Sequence, residues 1–204
     1  MVKELAAACH RAGLRFGLYY SQPNGHHPDA FADRHANYLS FLKLQVRELL
    51  TQYGPVDIFW FAGLGKKAKD YDAEALNSMI RQLQPRILIN NRDGLPEDFD
   101  TPEQVVGKFQ YNRPWESCIT ICNQWAWKPN DQMKSLTQCL ETLIRCAGGD
   151  GNLLFNEMAA ATMARLGIRA SDFGFPSAFG LLSGTLLFTT AVLAGRILLC
   201  SRML

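Results

Sequence analysis

Acids crowd one short stretch of the chain, Arg92 to Glu103, RDGLPEDFDTPE, where turn formers mark a loop. Two readings compete for these carboxylates. Glu97, Asp98 and Asp100 read as solvated or capping groups. Thr101-Pro102-Glu103 is a compact turn that can hold one acid in a fixed place, as proton transfer requires. Aromatic residues follow at Tyr111, Trp115, Trp125 and Trp127. Such density is either core or the apolar platform on which sugar rings stack.

The stretch that must face this loop is Tyr53 to Gly65, YGPVDIFWFAGLG. A Gly-Pro turn leads into Val56 to Trp60, strand formers apart from Asp57, and the apolar run stops at Ala62-Gly63. In an α/β enzyme the residue just past such a strand faces the ligand. That residue is Ala62, which carries no functional group. His26 and His27 also lie in a loop, but adjacent histidines point apart in extended chain. They read as solvent- or substrate-facing rather than as a metal pair.

The elements that position these residues follow from periodicity. Val2, Leu5, Ala8, Cys9 and Ala12 form one stripe closing on Gly13, which predicts a helix from Met1 to Gly13. Leu14 to Ser21 alternates as a buried strand and breaks at Gln22-Pro23-Asn24-Gly25. Asp33 to Tyr53 and Tyr71 to Gln84 read as amphipathic helices, the second stopped before Pro85. Arg86 to Asn91 is a short strand, Asn130 to Gly149 a helix and Asn152 to Asn156 another strand. Strand and helix alternating in this way predict parallel βα units. A doubly wound sheet and a (β/α) barrel both fit, and the lack of a Gly-rich nucleotide turn argues against the first.

A net charge of +2 with mixed, scattered charges gives no electrostatic case for a nucleic-acid partner. Lys66-Lys67-Ala68-Lys69 reads as a solvated loop. The six cysteines include no Cys-x-x-Cys, and nothing in the His and Cys spacing implies a metal or a cofactor. Cys9, Cys139 and Cys146 sit on apolar helical faces and are expected as buried thiols. Met1 to Cys9 lacks the features of a secretory signal. Glu157 to Ala170 is compatible with a short helix, and Phe173 to Gly195 contains no charge. Three readings of that stretch stand side by side: a membrane anchor through 173–195, a packed or loose hydrophobic tail, and an end foreign to the fold.

Six segments, in order, resemble the α-L-fucosidases of glycoside hydrolase family 29. Leu14 to Ser21 is similar to that family's Phe-Gly-x-Tyr-Tyr-Ser strand, and Tyr53 to Gly63 to its nucleophile strand, where Trp-Phe-Asp-Gly stands opposite Trp60-Phe61-Ala62-Gly63. Ile87 to Arg92 resembles its Ile-x-Asn-x-Arg strand, and Thr101-Pro102-Glu103 the acid/base turn of one branch. Trp115-Glu116-Ser117-Cys118 and Gly148 to Asn156 complete the series.

The resemblance implies a retaining exo-glycosidase on a partial (β/α)8 TIM-like barrel, with terminal α-L-fucose of a glycan as substrate. Retention needs a nucleophilic carboxylate and an acid/base carboxyl about 5 to 5.5 Å apart. By the match, position 62 is the nucleophile place, left vacant by Ala62; Glu103 is the acid/base and Glu116 its runner-up. Trp60, Tyr19 and Arg92 match positions lining the sugar pocket. The family's early strands are missing ahead of Met1, and since such a barrel takes about 250 residues the chain is expected to be part of one. The expected organisation is a catalytic-type unit over 1–156 and an atypical hydrophobic tail over 157–204. The family's setting is secreted, periplasmic or lysosomal. With alanine at 62 the expected outcomes are an impaired hydrolase, a fucose-binding pseudoenzyme, or a fragment without independent function.

Overall fold

In the computed structural model the described residues are 2–22, 27–31, 35–63, 67–109, 112–125, 128, 130–157, 188–192 and 197–201. The chain opens with α1 (Val2–Arg11), β1 (Arg15–Tyr20), α2 (His35–Thr51) and β2 (Ile58–Phe61). It continues through α3 (Ala68–Tyr71), α4 (Ala73–Leu83), β3 (Leu88–Ile89) and a 3-10 turn at Asn91–Asp93. β4 (Glu116–Thr120), α5 (Leu136–Gly148), β5 (Asn152–Glu157), β6 (Phe188–Val192) and β7 (Ile197–Ser201) complete it. The expected strand-helix alternation is therefore present, and the class is mixed α/β.

One sheet holds every named strand, in the order β3-β2-β1-β7-β6-β5-β4. β1 pairs parallel with β2 and β7, β2 with β3, and β4 with β5, while β6 runs antiparallel to both its neighbours. β6 and β7 come from within 157–204; the other parts of the 173–195 stretch and of the helix expected over 157–170 lie outside the described residues. Among the described residues no helix is long and apolar enough to cross a membrane.

Strand alternation sorts the side chains into two layers. Phe16, Leu18 and Tyr20 of β1 and Phe59 and Phe61 of β2 pack under α1, α2 and α4, against Ala6, Cys9, Tyr38, Leu42, Val46, Leu76 and Ile80. Tyr19, Ile58 and Trp60 turn to the other face, where they meet Phe99, Cys118 of β4 and Leu154 of β5. Strands from opposite ends of the sheet order thus share one interior, so the sheet curls around it. The segment after β3 follows the same curve. Asp98 N donates to Ile89 O at 3.0 Å on one side, and on the other Glu116 N donates to Asp100 O and Cys118 N to Pro102 O, both at 2.8 Å. A closed eight-stranded barrel is not seen among the described residues.

Three differences from the sequence reading have local causes. The helix expected over 71–84 is divided at Asp72, whose φ of 50° lies in the left-handed region. α5 starts at Leu136, not near Asn130: Ser135 Oγ accepts from Gln138 N and Gln138 Oε1 accepts from Ser135 N, a closed capping box. Lys134 N meanwhile donates to Ile121 O at 2.9 Å, which keeps the residues before the cap extended. β4 was not anticipated as a strand. Its five residues are all buried, so they lack the one-sided alternation that marks a half-exposed strand. Gly151, just before β5, makes room for Trp115: a Cβ there would stand 2.2 Å from its indole ring.

Candidate active site

Position 62 is set by three backbone tethers at the end of β2. Ala62 N donates to Tyr20 O at 2.9 Å, continuing the β1–β2 ladder by one residue. Phe61 just before it is clamped by the buried Asn90 side chain, whose Oδ1 accepts from Phe61 N at 2.7 Å and whose Nδ2 donates to Phe61 O at 2.9 Å. Gly63 just after it donates to Gln22 Oε1 at 3.0 Å. Gly63 has φ +54° and lies so close to Arg92 O that a Cβ would fall at 2.2 Å, so only glycine fits this turn. The methyl group of Ala62 therefore occupies a tightly specified place although it has no chemistry of its own.

Arg92 is the hub beside it. Its Nη1 donates to Ala62 O at 3.4 Å and to the Glu103 carboxylate. Its Nε donates to Thr101 Oγ1 at 2.8 Å and Nη2 to Thr101 O at 3.1 Å, which holds the Thr101-Pro102-Glu103 turn against the end of β2. Thr101 Oγ1 in turn donates to Asn91 Oδ1 at 2.8 Å. The guanidinium carbon lies 4.6 Å from the centroid of the Trp60 ring, a cation–π contact. Tyr19 stacks on Trp60 with ring centroids 5.0 Å apart and planes 19° from parallel. Burial pushes the Tyr19 phenol up to about 12, so it stays a neutral hydroxyl able to donate. Trp60 itself is wholly buried by this company, so it is a ring packed beneath the site and not an open wall.

The two candidate acids differ sharply. Glu103 keeps 42% of its side chain exposed and pairs with Arg92. Glu116, at the first residue of β4, is buried, with Oε1 accepting from Trp60 Nε1 at 2.9 Å and Oε2 from Asn152 Nδ2 at 2.8 Å. Burial pushes its carboxyl up to about 7, against the opposing pull of these two hydrogen bonds and of Arg92. Glu116 is thus an interior carboxyl able to hold a proton near neutral pH. Asn152 is its partner across the β4–β5 ladder.

All six residues singled out in the sequence, Tyr19, Trp60, Ala62, Arg92, Glu103 and Glu116, are joined by these contacts. The other acids of the loop have structural partners: Arg81 pairs with Glu97 at 2.6 Å and with Asp98 at 2.9 Å, and Arg113 pairs with Asp100 at 2.7 Å. Asn90, Gln22, Thr101 and Asn152 were missed as site residues; Asn90, Thr101 and Asn152 lie inside quoted motifs and Gln22 opens the break after β1, and that adjacency was their only sequence signal. Trp115 belongs to a separate cluster with Ile119, Cys146 and Leu153. His26, Tyr111 and Trp127 lie outside the described residues. Among the described residues no group of three His, Cys, Asp or Glu side chains is arranged to hold a metal ion. Cys9, Cys139 and Cys146 are buried thiols, as expected.

Comparison with known proteins points one way. The sequence model described as Alpha-L-fucosidase matches residues 1–161. Putative alpha-L-fucosidase 1 of Oryza sativa subsp. japonica is 28% identical over 76% of this chain and 36% of its own length. Alpha-L-fucosidase 1 of Arabidopsis thaliana is 27% identical over 76% of this chain and 37% of its own. Among solved structures, alpha-L-fucosidase isoenzyme 1 from Paenibacillus thiaminolyticus superposes with a TM-score of 0.74 at 32% identity, covering 81% of this chain and 50% of that one. The chain therefore spans well under half the length of the curated relatives it matches.

Proposed function

The chain belongs to the α-L-fucosidase family, and from that premise we propose that it carries the sugar site of a retaining exo-glycosidase acting on terminal α-L-fucose of glycans, with the nucleophile's place vacant at Ala62. The observation that carries the reading is the hub at Arg92, which joins the backbone of position 62, the Glu103 carboxylate and the Trp60 ring. In this reading Arg92 and Tyr19 donate hydrogen bonds to sugar hydroxyls, and Trp60 supports them from below. Glu103 is the acid/base, being partly open to solvent and sharing Arg92 Nη1 with the backbone of position 62. Glu116 is the alternative proton donor, favoured by one observation: burial lets it keep a proton near neutral pH.

A retaining cycle needs a carboxylate to take the sugar as a covalent glycosyl intermediate. Alanine cannot. Losing about 5 kcal/mol of transition-state stabilisation already slows turnover several thousandfold. As it stands the chain binds terminal fucose better than it cleaves it, which is the pseudoenzyme reading, and the intact Tyr19–Trp60–Arg92 stack favours it. The family's eight-stranded barrel is the architecture we propose for the whole catalytic unit, with 1–156 as the part held here.

Two measurements test this. Calorimetry with L-fucose at millimolar concentration is expected to show binding, and its absence would remove the sugar site. Azide added to the protein with an aryl α-L-fucoside is expected to yield a fucosyl azide, because the anion attacks where the missing carboxylate would stand. An azide-independent product spectrum would remove Ala62 from that role.

A further inference from the structure

Asn152 faces Glu116 across the β4–β5 ladder with its side chain only half used. Nδ2 donates to Glu116 Oε2 at 2.8 Å, while Oδ1 is buried without a hydrogen-bond partner. A buried polar atom left in this state calls for an explanation. On the other side Trp60 Nε1 donates to Glu116 Oε1 at 2.9 Å. An indole N–H only donates, so Oε1 stays an acceptor whatever the charge on Glu116. A proton arriving at this carboxyl therefore settles on Oε2. There it meets the one partner that owns an acceptor as well as a donor.

The orientation seen suits the ionised carboxylate. With Oε2 protonated, the carboxyl O–H and the amide N–H would confront each other as two donors. Half a turn about the terminal torsion, which is broad and two-fold, exchanges the ends of the amide and leaves the backbone in place. Oδ1 then accepts from the carboxylic acid. We propose that Asn152 is a positioning residue for Glu116 that turns its amide end for end as the carboxyl gains or loses a proton, with Nδ2 donating to the carboxylate and Oδ1 accepting from the acid. The proton comes from solvent or from the reacting hydroxyl, and the amide carries none of it.

Among the described residues, Arg92 and the Cys118 thiol act on Glu116 directly, and Tyr19 and Glu103 stand beyond them, each interacting with Cys118 and Arg92. Arg92 favours the ionised carboxyl, whereas burial favours the acid. A partner that serves both forms lets Glu116 move between them without a backbone shift. The value of this for catalysis rests on Glu116 being a proton-carrying group of the fucose site. The amide's behaviour does not, and it is read without substrate.

The test is NMR on the full chain with labelled asparagine and glutamate side chains, from about pH 5 to pH 9, the range that brackets a carboxyl titrating near neutrality. Asn152 is identified by the signal lost in Asn152→Ser. Its Nδ2 protons are expected to lose the hydrogen-bonded shift as pH falls, with the same midpoint as the Glu116 carboxyl carbon. In Glu116→Gln the amide is expected to stay at its low-pH position throughout, since the glutamine N–H imitates the acid. Asn152 signals that stay fixed while Glu116 titrates would overturn the proposal, as would an unchanged titration in Glu116→Gln. If that variant does not fold, the two curves in the native chain decide alone. Failure to bind fucose, by contrast, would sink the sugar-site reading and leave these curves untouched.

Discussion

The indole of Trp60 and the carboxyl of Glu116, 56 residues apart in sequence, meet at 2.9 Å inside the curled sheet. The contact ties β2 to β4 and keeps an ionisable group in the interior. Burial raises the Glu116 carboxyl from its ordinary 4.5 to about 7, so the unfolded chain releases this proton first. Its contribution to stability is therefore complete below about pH 4.5 and lost as pH rises through about 7. Glu116→Gln, which is neutral throughout, should gain on the native chain by on the order of 3 kcal/mol between acid and alkaline pH. Urea unfolding of both at about pH 4 and pH 8 checks this. Parallel pH dependences would mean that Glu116 is not held protonated by the fold.

Asn90 fixes the end of β2 with two buried hydrogen bonds to the Phe61 backbone. Asn90→Ala leaves a buried N–H and a buried C=O without partners, each at a cost of about 1 to 3 kcal/mol. A loss of about 2 to 5 kcal/mol in urea unfolding is expected, large for one substitution. A loss under about 1 kcal/mol would show that the clamp is dispensable and that position 62 is set by the ladder alone.

Arg92 and Glu103 separate binding from stability. The pair is open to solvent on the glutamate side, so Glu103→Gln should change stability by less than about 1 kcal/mol. Arg92→Met removes the donor to Ala62 O and to the Thr101 turn together with the charge over Trp60. Fucose affinity is expected to fall about tenfold or more, the worth of a charged hydrogen bond. Calorimetry on Arg92→Met and on the native chain decides; equal affinities would place the sugar away from the hub.

The sequence made β1, β2 and β5 legible because their apolar runs end at turn formers, and α1, α2 and most of α4 because their stripes are one-sided. β4 was hidden: Glu116, Ser117 and Thr120 read as polar, yet the fold buries them all. The start of α5 was displaced because Asn130 and Asp131 are cap-forming types too, and only the tertiary bond from Lys134 N to Ile121 O shows that the chain is still extended there. The site was legible as a set of motifs, through the resemblance. Its wiring was not. Whether Glu103 or Glu116 is open to solvent, and whether Trp60 is a wall or a floor, depends on contacts between segments that no local pattern encodes.

The vacancy proposed at position 62 is tested most directly by restoring the carboxylate. Ala62→Asp, placed in a chain completed to the whole catalytic unit and assayed with an aryl α-L-fucoside beside the alanine form of the same length, is expected to hydrolyse the substrate with retention and at least a thousandfold faster, the reverse of about 4 kcal/mol of lost transition-state stabilisation. An Ala62→Asp protein that folds and binds fucose yet turns over no faster than the alanine form would contradict the assignment of this position as the nucleophile's place.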